Sequence, residues 1–126
     1  MKNEPFHQEY MENLRRAWQK RASQKREDLE KLRQDALIKA AAAAAHLKKN
    51  YKANAVYLYG SLAWGKHFSH RSDIDLFVEG FPKEENYWIM LVELEEISRP
   101  YEINVVLSED ATFSLREKVR NEGYPL

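Results

Sequence analysis

The chain has no cysteine and few residues that break regular structure. It contains four glycines and four prolines among 126 residues, and none of the eight lies between residues 7 and 49. Without cysteine, a disulfide framework and a zinc–thiolate site are excluded. No apolar run is long enough to cross a membrane, and the first ten residues lack the apolar segment of a secretory signal. We therefore expect a cytoplasmic protein, one domain in size, without a membrane partner.

Charge is distributed unevenly, although the net charge is zero. Residues 1–53 carry 13 Lys and Arg against 7 Asp and Glu, whereas residues 54–126 carry 7 against 13. A basic segment can contact nucleic acid, an acidic partner or the acidic half of a second copy, or it can be a solvated helix face. Nucleic acid stays open as a partner, although no motif points to it.

The stretch without glycine or proline predicts one long helix from His7 to about Lys49, or two helices with a break near Ser23. About 43 residues at 1.5 Å each would extend about 64 Å, which is more than a small α/β domain covers. We therefore predict an N-terminal helical extension, residues 1–50, ahead of a domain at residues 51–126. Residues 8–35 would form an arm that binds a second copy or a partner protein, because their apolar side chains need a cover.

The second part of the chain has the segments of an α/β (α+β) domain. Short runs rich in β-branched and aromatic residues, bounded by glycine and polar clusters, predict strands, and spacings of three and four predict helices. The predicted strands cover residues 56–59, 73–78 and 101–107. The predicted helices cover residues 83–98, with Trp88 in the core, and residues 108–121, with Ser108 as the cap.

Two acidic residues mark the start of the second predicted strand. Asp73 and Asp75 are one residue apart, so both project to the same side of the strand, about 6 to 7 Å from each other. Two like charges this close raise each other's pKa and call for a compensating cation. Oxygen-only ligands suit Mg²⁺, which also takes phosphate oxygens and water. The pair therefore predicts a magnesium site.

A Gly-Ser pair ends the first predicted strand. Gly60 lets backbone N–H groups approach a phosphate, and the hydroxyl of Ser61 adds a donor. The third predicted strand carries Glu102 and Asn104 on one face, so both could join the aspartates if that strand lies beside the second. These residues predict a site for a metal ion and a phosphorylated ligand.

A P-loop is the competing interpretation of the same turn. The segment GSLAWGK, ending at Lys66, has the Walker A spacing and follows an apolar strand. However, His67 stands where a P-loop has the Ser or Thr that holds Mg²⁺, and no separate strand ends in a Walker B aspartate. The P-loop interpretation is therefore disfavoured.

The order of apolar strand, Gly-Ser, a gap of eleven residues and Asp-Ile-Asp resembles the DNA polymerase beta nucleotidyltransferase superfamily. More narrowly, it is similar to the minimal nucleotidyltransferases of prokaryotes, which are often paired with a HEPN-domain protein as a toxin–antitoxin module. The resemblance covers about residues 50–124. It implies a mixed sheet flanked by helices, two Mg²⁺ ions, and transfer of a nucleoside monophosphate, AMP from ATP or another NTP, to an acceptor hydroxyl. A HEPN-type protein would be the partner that carries that acceptor.

The resemblance also implies roles for individual residues. Asp73 and Asp75 would hold the metal ions, and Gly60 and Ser61 the β- and γ-phosphates. Minimal members often carry arginine at the positions of Leu62 and Trp64. The remaining triphosphate charge would therefore be met by nearby cationic or ionisable side chains, namely Lys66, His67, His70 or Arg71.

The third carboxylate of the family is replaced in this chain. Asn104 stands at its position, and Glu102 is the candidate substitute as catalytic residue and metal ligand. An amide can ligate Mg²⁺ but carries no charge and cannot act as a base. If Glu102 does not substitute, the alternative is a weakly active or inactive nucleotidyltransferase fold. It would act as an antitoxin or regulatory subunit through partner binding.

Overall fold

The computed structural model describes residues 4–65 and 68–126, and its first element is one unbroken helix. Helix α1 spans Glu4–Asn50, so the long N-terminal helix is confirmed and the alternative break near Ser23 does not occur. The chain divides into two compact units, Met1–Lys31 and Leu32–Leu126. Within the described ranges, neither α1 nor any other helix is long and apolar enough to cross a membrane.

The second unit contains a mixed sheet, as predicted, and this sheet has four strands where the sequence predicted three. Its strands are β1 (Ala55–Tyr59), β2 (Ile74–Glu79), β3 (Ile103–Leu107) and β4 (Tyr124–Pro125), in the order β3-β2-β1-β4. Strands β2 and β3 are parallel, whereas β1 is antiparallel to both β2 and β4. The two-residue strand β4 was not expected from the sequence, because a pair of residues has no measurable periodicity.

Three further helices connect and follow these strands. Helix α2 (Gly60–Trp64) follows β1 directly, α3 (Tyr87–Ser98) connects β2 to β3, and α4 (Phe113–Glu122) lies between β3 and β4. The crossover through α3 is what allows β2 and β3 to be parallel, since parallel strands cannot be joined by a short turn.

Two predicted helix starts were wrong, and capping explains both. Helix α3 begins at residue 87 rather than 83 because the side chain of Asn86 accepts hydrogen bonds from the backbone N–H groups of Trp88 and Ile89. Residues Ser108–Asp110 form a separate 3₁₀ turn, and α4 begins later because Thr112 caps it by accepting from the backbone N–H of Leu115. Asn and Thr at these positions satisfy N–H groups that a helix end leaves without a partner.

Side chains along each strand alternate between the two faces of the sheet, and one of these faces forms part of the core. The buried face of the sheet carries Val56, Leu58, Leu76, Val78, Val105 and Leu107, which belong to one core cluster with residues of α1 and α3. From α1 the cluster takes Ala36, Ala40, Ala43, Ala44 and Leu47. Small side chains on this stripe let the helix pack closely.

The prediction that Trp88 lies in the core was wrong, because its side chain is 71% exposed. The fully buried residues of α3 are Met90, Leu94 and Ser98.

The alanine stripe gives a test of this packing. Ala43→Leu should lower the free energy of unfolding by about 1–3 kcal/mol, because Ala43 is fully buried and extra methylenes overpack the core. Ala42→Leu is the matched control, since Ala42 is exposed on the same helix and Leu has nearly the helix propensity of Ala. Urea unfolding followed by circular dichroism measures both. Equal midpoints for the two variants would contradict the observed packing.

Candidate functional site

Three side chains form a row across the face of the sheet opposite the core. In the strand register, Tyr59 of β1 pairs with Asp75 of β2, and Asp75 pairs with Asn104 of β3. Directly paired residues project from the same face of a sheet. Asp73 lies one residue before β2, and its spacing from Asp75 places it on that same face. The row therefore brings the sequence-predicted aspartates together with Asn104.

Asn104 bridges the two aspartates. Its Nδ2 donates to Asp73 Oδ2 at 3.0 Å and to Asp75 Oδ1 at 3.2 Å. One amide nitrogen therefore lies within hydrogen-bonding distance of an oxygen from each carboxylate. The carboxylates of Asp73 and Asp75 therefore face a common point, and the two negative charges favour a positive charge near that point.

The electrostatics of the row follow from burial and from the second carboxylate. The pKa of Asp75 is raised from its ordinary value, mainly because burial disfavours the charged form, and the charge of Asp73 raises it further. The hydrogen bond from Asn104 acts in the opposite direction and lowers the pKa of Asp75. The pKa of Tyr59 is also raised, by burial first and by the charge of Asp75 second. Tyr59 was missed from the sequence, and its position directly before Gly60 was the available signal.

Gly60 lies against the carboxylate of Asp75. Its φ is +78°, and a Cβ added there would overlap Asp75 Oδ2. Only glycine combines this left-handed conformation with so close an approach. Gly60 and Ser61 are the first two residues of α2, so the predicted phosphate-binding turn is adjacent to Asp75.

The remainder of α2 is held by contacts that the motif does not reveal. Leu62 is fully buried, and its carbonyl accepts a hydrogen bond from Arg33 Nη2 of α1 at 3.3 Å. Trp64 donates from Nε1 to the carbonyl of Glu122 at 2.9 Å, and Lys118 Nζ lies 4.6 Å from the centroid of its ring. Leu62 and Trp64, the two positions where the family resemblance led us to expect arginine, therefore serve packing here.

Glu102 and Arg71 line a cleft beside Asp73. The cleft has a volume of about 290 Å³ and is lined by His70, Arg71, Ser72, Asp73, Pro100 and Glu102. The backbone carbonyl of Glu102 accepts from the N–H of Ile74 at 2.8 Å, which ties the two strand starts together. Both Glu102 and Arg71 are exposed. Lys66 and His67, also expected to meet triphosphate charge, lie outside the described residues.

The donor set fits one hydrated magnesium ion. Mg²⁺ is commonly bound through one or two carboxylates, with substrate phosphates and water completing the shell, and Asp73 and Asp75 supply two converging carboxylate oxygens. Among residues 4–65 and 68–126, no group of three or more His, Cys, Asp or Glu side chains is placed to hold a metal ion. The second ion that the family resemblance implies therefore has no three-acid cluster in the part of the chain described.

A mixed sheet with paired aspartates beside a Gly-Ser turn defines a nucleotidyltransferase-fold domain. The chain belongs to the polymerase beta nucleotidyltransferase family, because the family model "Polymerase beta, Nucleotidyltransferase" matches residues 41–126, well over half of the chain. A solved structure described as "Crystal structure of the toxin-antitoxin with AMP-PNP" is similar with a TM-score of 0.54 and 23% identity, over 66% of this chain and 68% of that one. At that identity the likeness shows the fold. No curated protein matches the sequence significantly.

A pair of glycine variants tests the contact between Gly60 and Asp75. Gly60→Ala and Gly65→Ala should each destabilise the protein by about 1–2 kcal/mol, because both glycines have φ near +70°. Only Gly60→Ala should also displace the carboxylate of Asp75, since a Cβ at Gly65 meets nothing closer than Arg33 Nη2 at 3.8 Å. Mg²⁺ titration by calorimetry should therefore show weaker binding for Gly60→Ala alone. Equal Mg²⁺ affinities in the two variants would argue against the contact.

The raised pKa of Asp75 predicts a dependence of stability on pH. Because this carboxyl ionises less readily in the folded chain than in the unfolded chain, the folded state loses stability as pH rises above the ordinary aspartate pKa of about 4. Asp75→Asn removes this loss, so the variant should gain stability relative to wild type between about pH 4 and neutrality. Urea midpoints measured without Mg²⁺ across that range test it. Asp110→Asn, at an exposed site, is the control, and parallel pH profiles for wild type and Asp75→Asn would contradict the prediction.

Proposed function

We propose that this protein is a magnesium-dependent nucleotidyltransferase that moves a nucleoside monophosphate, AMP from ATP, to an acceptor hydroxyl. The observation that carries the proposal is the convergence of Asp73 and Asp75 on the amide nitrogen of Asn104, beside the turn at Gly60 and Ser61. Membership of the nucleotidyltransferase family supports the reaction class. The similar toxin–antitoxin structure, which contains AMP-PNP, supports an adenine nucleotide as the substrate.

The chain's own residues supply binding and orientation. Asp73 and Asp75 would hold Mg²⁺, which when bound supplies charge neutralisation for the triphosphate and a Lewis acid at the reacting phosphate. Gly60 and Ser61 orient the β- and γ-phosphates through backbone N–H groups and a hydroxyl. Arg71, exposed in the cleft beside Asp73, is placed to offset further phosphate charge.

The bonds that change are those at the α-phosphorus. The acceptor oxygen forms a bond to this atom, the bond to the bridging oxygen of the β-phosphate breaks, and pyrophosphate leaves with the bonding electron pair. The acceptor hydroxyl also loses a proton. Asn104 cannot take this proton, because its amide has no basic site. The proton therefore goes to solvent or to Glu102, whose carboxylate lines the same cleft as Asp73.

A second candidate function rests on Asn104 itself. A neutral amide bridging both aspartates compensates them by hydrogen bonding without a third carboxylate. A weakly active or inactive subunit that works by binding a partner would need no more than this. For either function the proposed partner is a protein of the HEPN type. A protein partner is also supported by the similar structure, itself a toxin–antitoxin.

Transfer of label distinguishes the two functions. ATP labelled at the α-phosphorus, incubated with the protein, Mg²⁺ and a cell extract, should label an acceptor, whereas ATP labelled at the γ-phosphorus should not, because that phosphate leaves in pyrophosphate. Asp73→Asn with Asp75→Asn should lower α-labelling about 100-fold or more, because the metal-binding charge is removed. Protease and ribonuclease treatment then identifies the class of acceptor.

Glu79→Gln is the matched control for the double variant. It also neutralises a half-buried acid on β2, but at the other end of that strand, so labelling should be unchanged. The enzyme proposal fails if no α-label is transferred while the double variant still captures its partner. That outcome would favour the binding function.

Restoring the family's third carboxylate gives an independent test. Asn104→Asp should tighten Mg²⁺ binding and raise α-label transfer, since it adds a charged ligand beside Asp73 and Asp75. Without Mg²⁺ the same variant should lose about 1–3 kcal/mol of stability, because two hydrogen bonds of about 0.5–1.5 kcal/mol each are replaced by repulsion. Calorimetry and urea unfolding measure the two effects. Asn121→Asp, exposed on α4, adds the same charge elsewhere and should leave Mg²⁺ binding and α-label transfer unchanged.

A further inference from the structure

An uninterrupted basic stretch lies in the first unit of the chain. Residues 13–26 contain six Lys and Arg and no Asp or Glu. All six cations are exposed on α1: Arg15, Arg16, Lys20, Arg21, Lys25 and Arg26. Such a density of one charge on a helix attracts a polyanion, and no residue of the proposed nucleotide site belongs to this segment.

Exposed aromatic and apolar side chains accompany the cations. Trp18 is 67% exposed, and Tyr10 is 62% exposed. Trp18 also helps to line a shallow apolar cleft of about 300 Å³, together with Met11, Leu14, Arg15 and Gln19. An exposed indole ring offers a flat surface on which an unpaired base can stack.

The positions of the cations around α1 indicate which kind of molecule this part of the helix can bind. At about 100° per residue, Arg21 and Lys25 lie within about 60° of Trp18, on the same side of the helix. Arg16 and Lys20 lie on the opposite side. A helix that lies on a membrane keeps its charges apart from its apolar face, and pairing this side with a second copy would bring like charges together. A flexible anionic strand, by contrast, can pair phosphates with cations around the helix while its bases contact Trp18.

We propose that residues 10–26 of α1 bind single-stranded nucleic acid. Arg15 is paired with Glu12 Oε1 at 3.0 Å, so the phosphates pair with Arg21 and Lys25, and a base stacks on Trp18. This combination of cations that follow the backbone with an aromatic platform binds strands without requiring a particular sequence. This segment shares no residue with the proposed nucleotidyltransferase site, and the proposal does not depend on that site's activity.

Fluorescence anisotropy with the full-length chain tests the proposal. The probes are a labelled single-stranded RNA of mixed sequence, the corresponding DNA strand and the DNA duplex. Both single strands should bind more tightly than the duplex, and affinity should fall as salt rises. Arg21→Gln with Lys25→Gln should weaken binding and reduce the slope of log K against log salt by about 1.4, since each phosphate contact contributes about 0.7 for a single strand. Trp18→Ala should weaken binding about tenfold.

The matched control is Arg99→Gln with Arg120→Gln, which removes two exposed arginines of the second unit and should leave binding unchanged. Circular dichroism verifies that each variant keeps its helix. The proposal is overturned if no strand binds, or if the Arg21 and Lys25 variant binds like wild type. It is also overturned if these residues are needed only for sedimentation with phosphatidylglycerol vesicles, or only for a dimer mass in light scattering.

Discussion

Two carboxylates on one side of a strand repel each other, and the site depends on how the fold compensates them. Asp73 and Asp75 are both half-buried, so water alone screens them incompletely. The parallel pairing of β2 with β3 places the amide of Asn104 between them, where a neutral donor reduces the repulsion without removing either charge. The acidic pair is thereby kept in a fold in which, among the described residues, no three His, Cys, Asp or Glu side chains are grouped to hold a metal ion.

The elements that could be predicted are those whose signals are local. The strands near Gly60 and Asp75 are predicted by short apolar runs that glycine and polar residues bound. Helix α1 is predicted by a long stretch without glycine or proline. The starts of α3 and α4 were placed too early, because the caps at Asn86 and Thr112 compete with helical spacing that extends on both sides of them. Such competition is settled by backbone geometry, which the spacing of apolar residues does not contain.

For the candidate site, the sequence proposes which residues take part, but not which contacts they make. The shared face of Asp73 and Asp75 follows from the period of a strand. The hydrogen bonds of Asn104 depend on the register between β2 and β3, which are joined through a helix. The bond from Arg33 to the carbonyl of Leu62 spans 29 positions. Contacts between distant segments are set by packing of the whole domain, so a single sequence leaves them undetermined.

The register also separates the two candidates for the third ligand. Because Ile74 pairs with Ile103, Glu102 lies beside Asp73 at the strand start, whereas Asn104 lies beside Asp75 and reaches both aspartates. Glu102, the residue directly before β3, is therefore two positions away from the bridging residue Asn104. A carboxylate at residue 102 extends the site along the cleft towards Arg71, while residue 104 determines how much negative charge lies between the aspartates. The charge between the two aspartates and the charge in the neighbouring cleft are thus set by different residues.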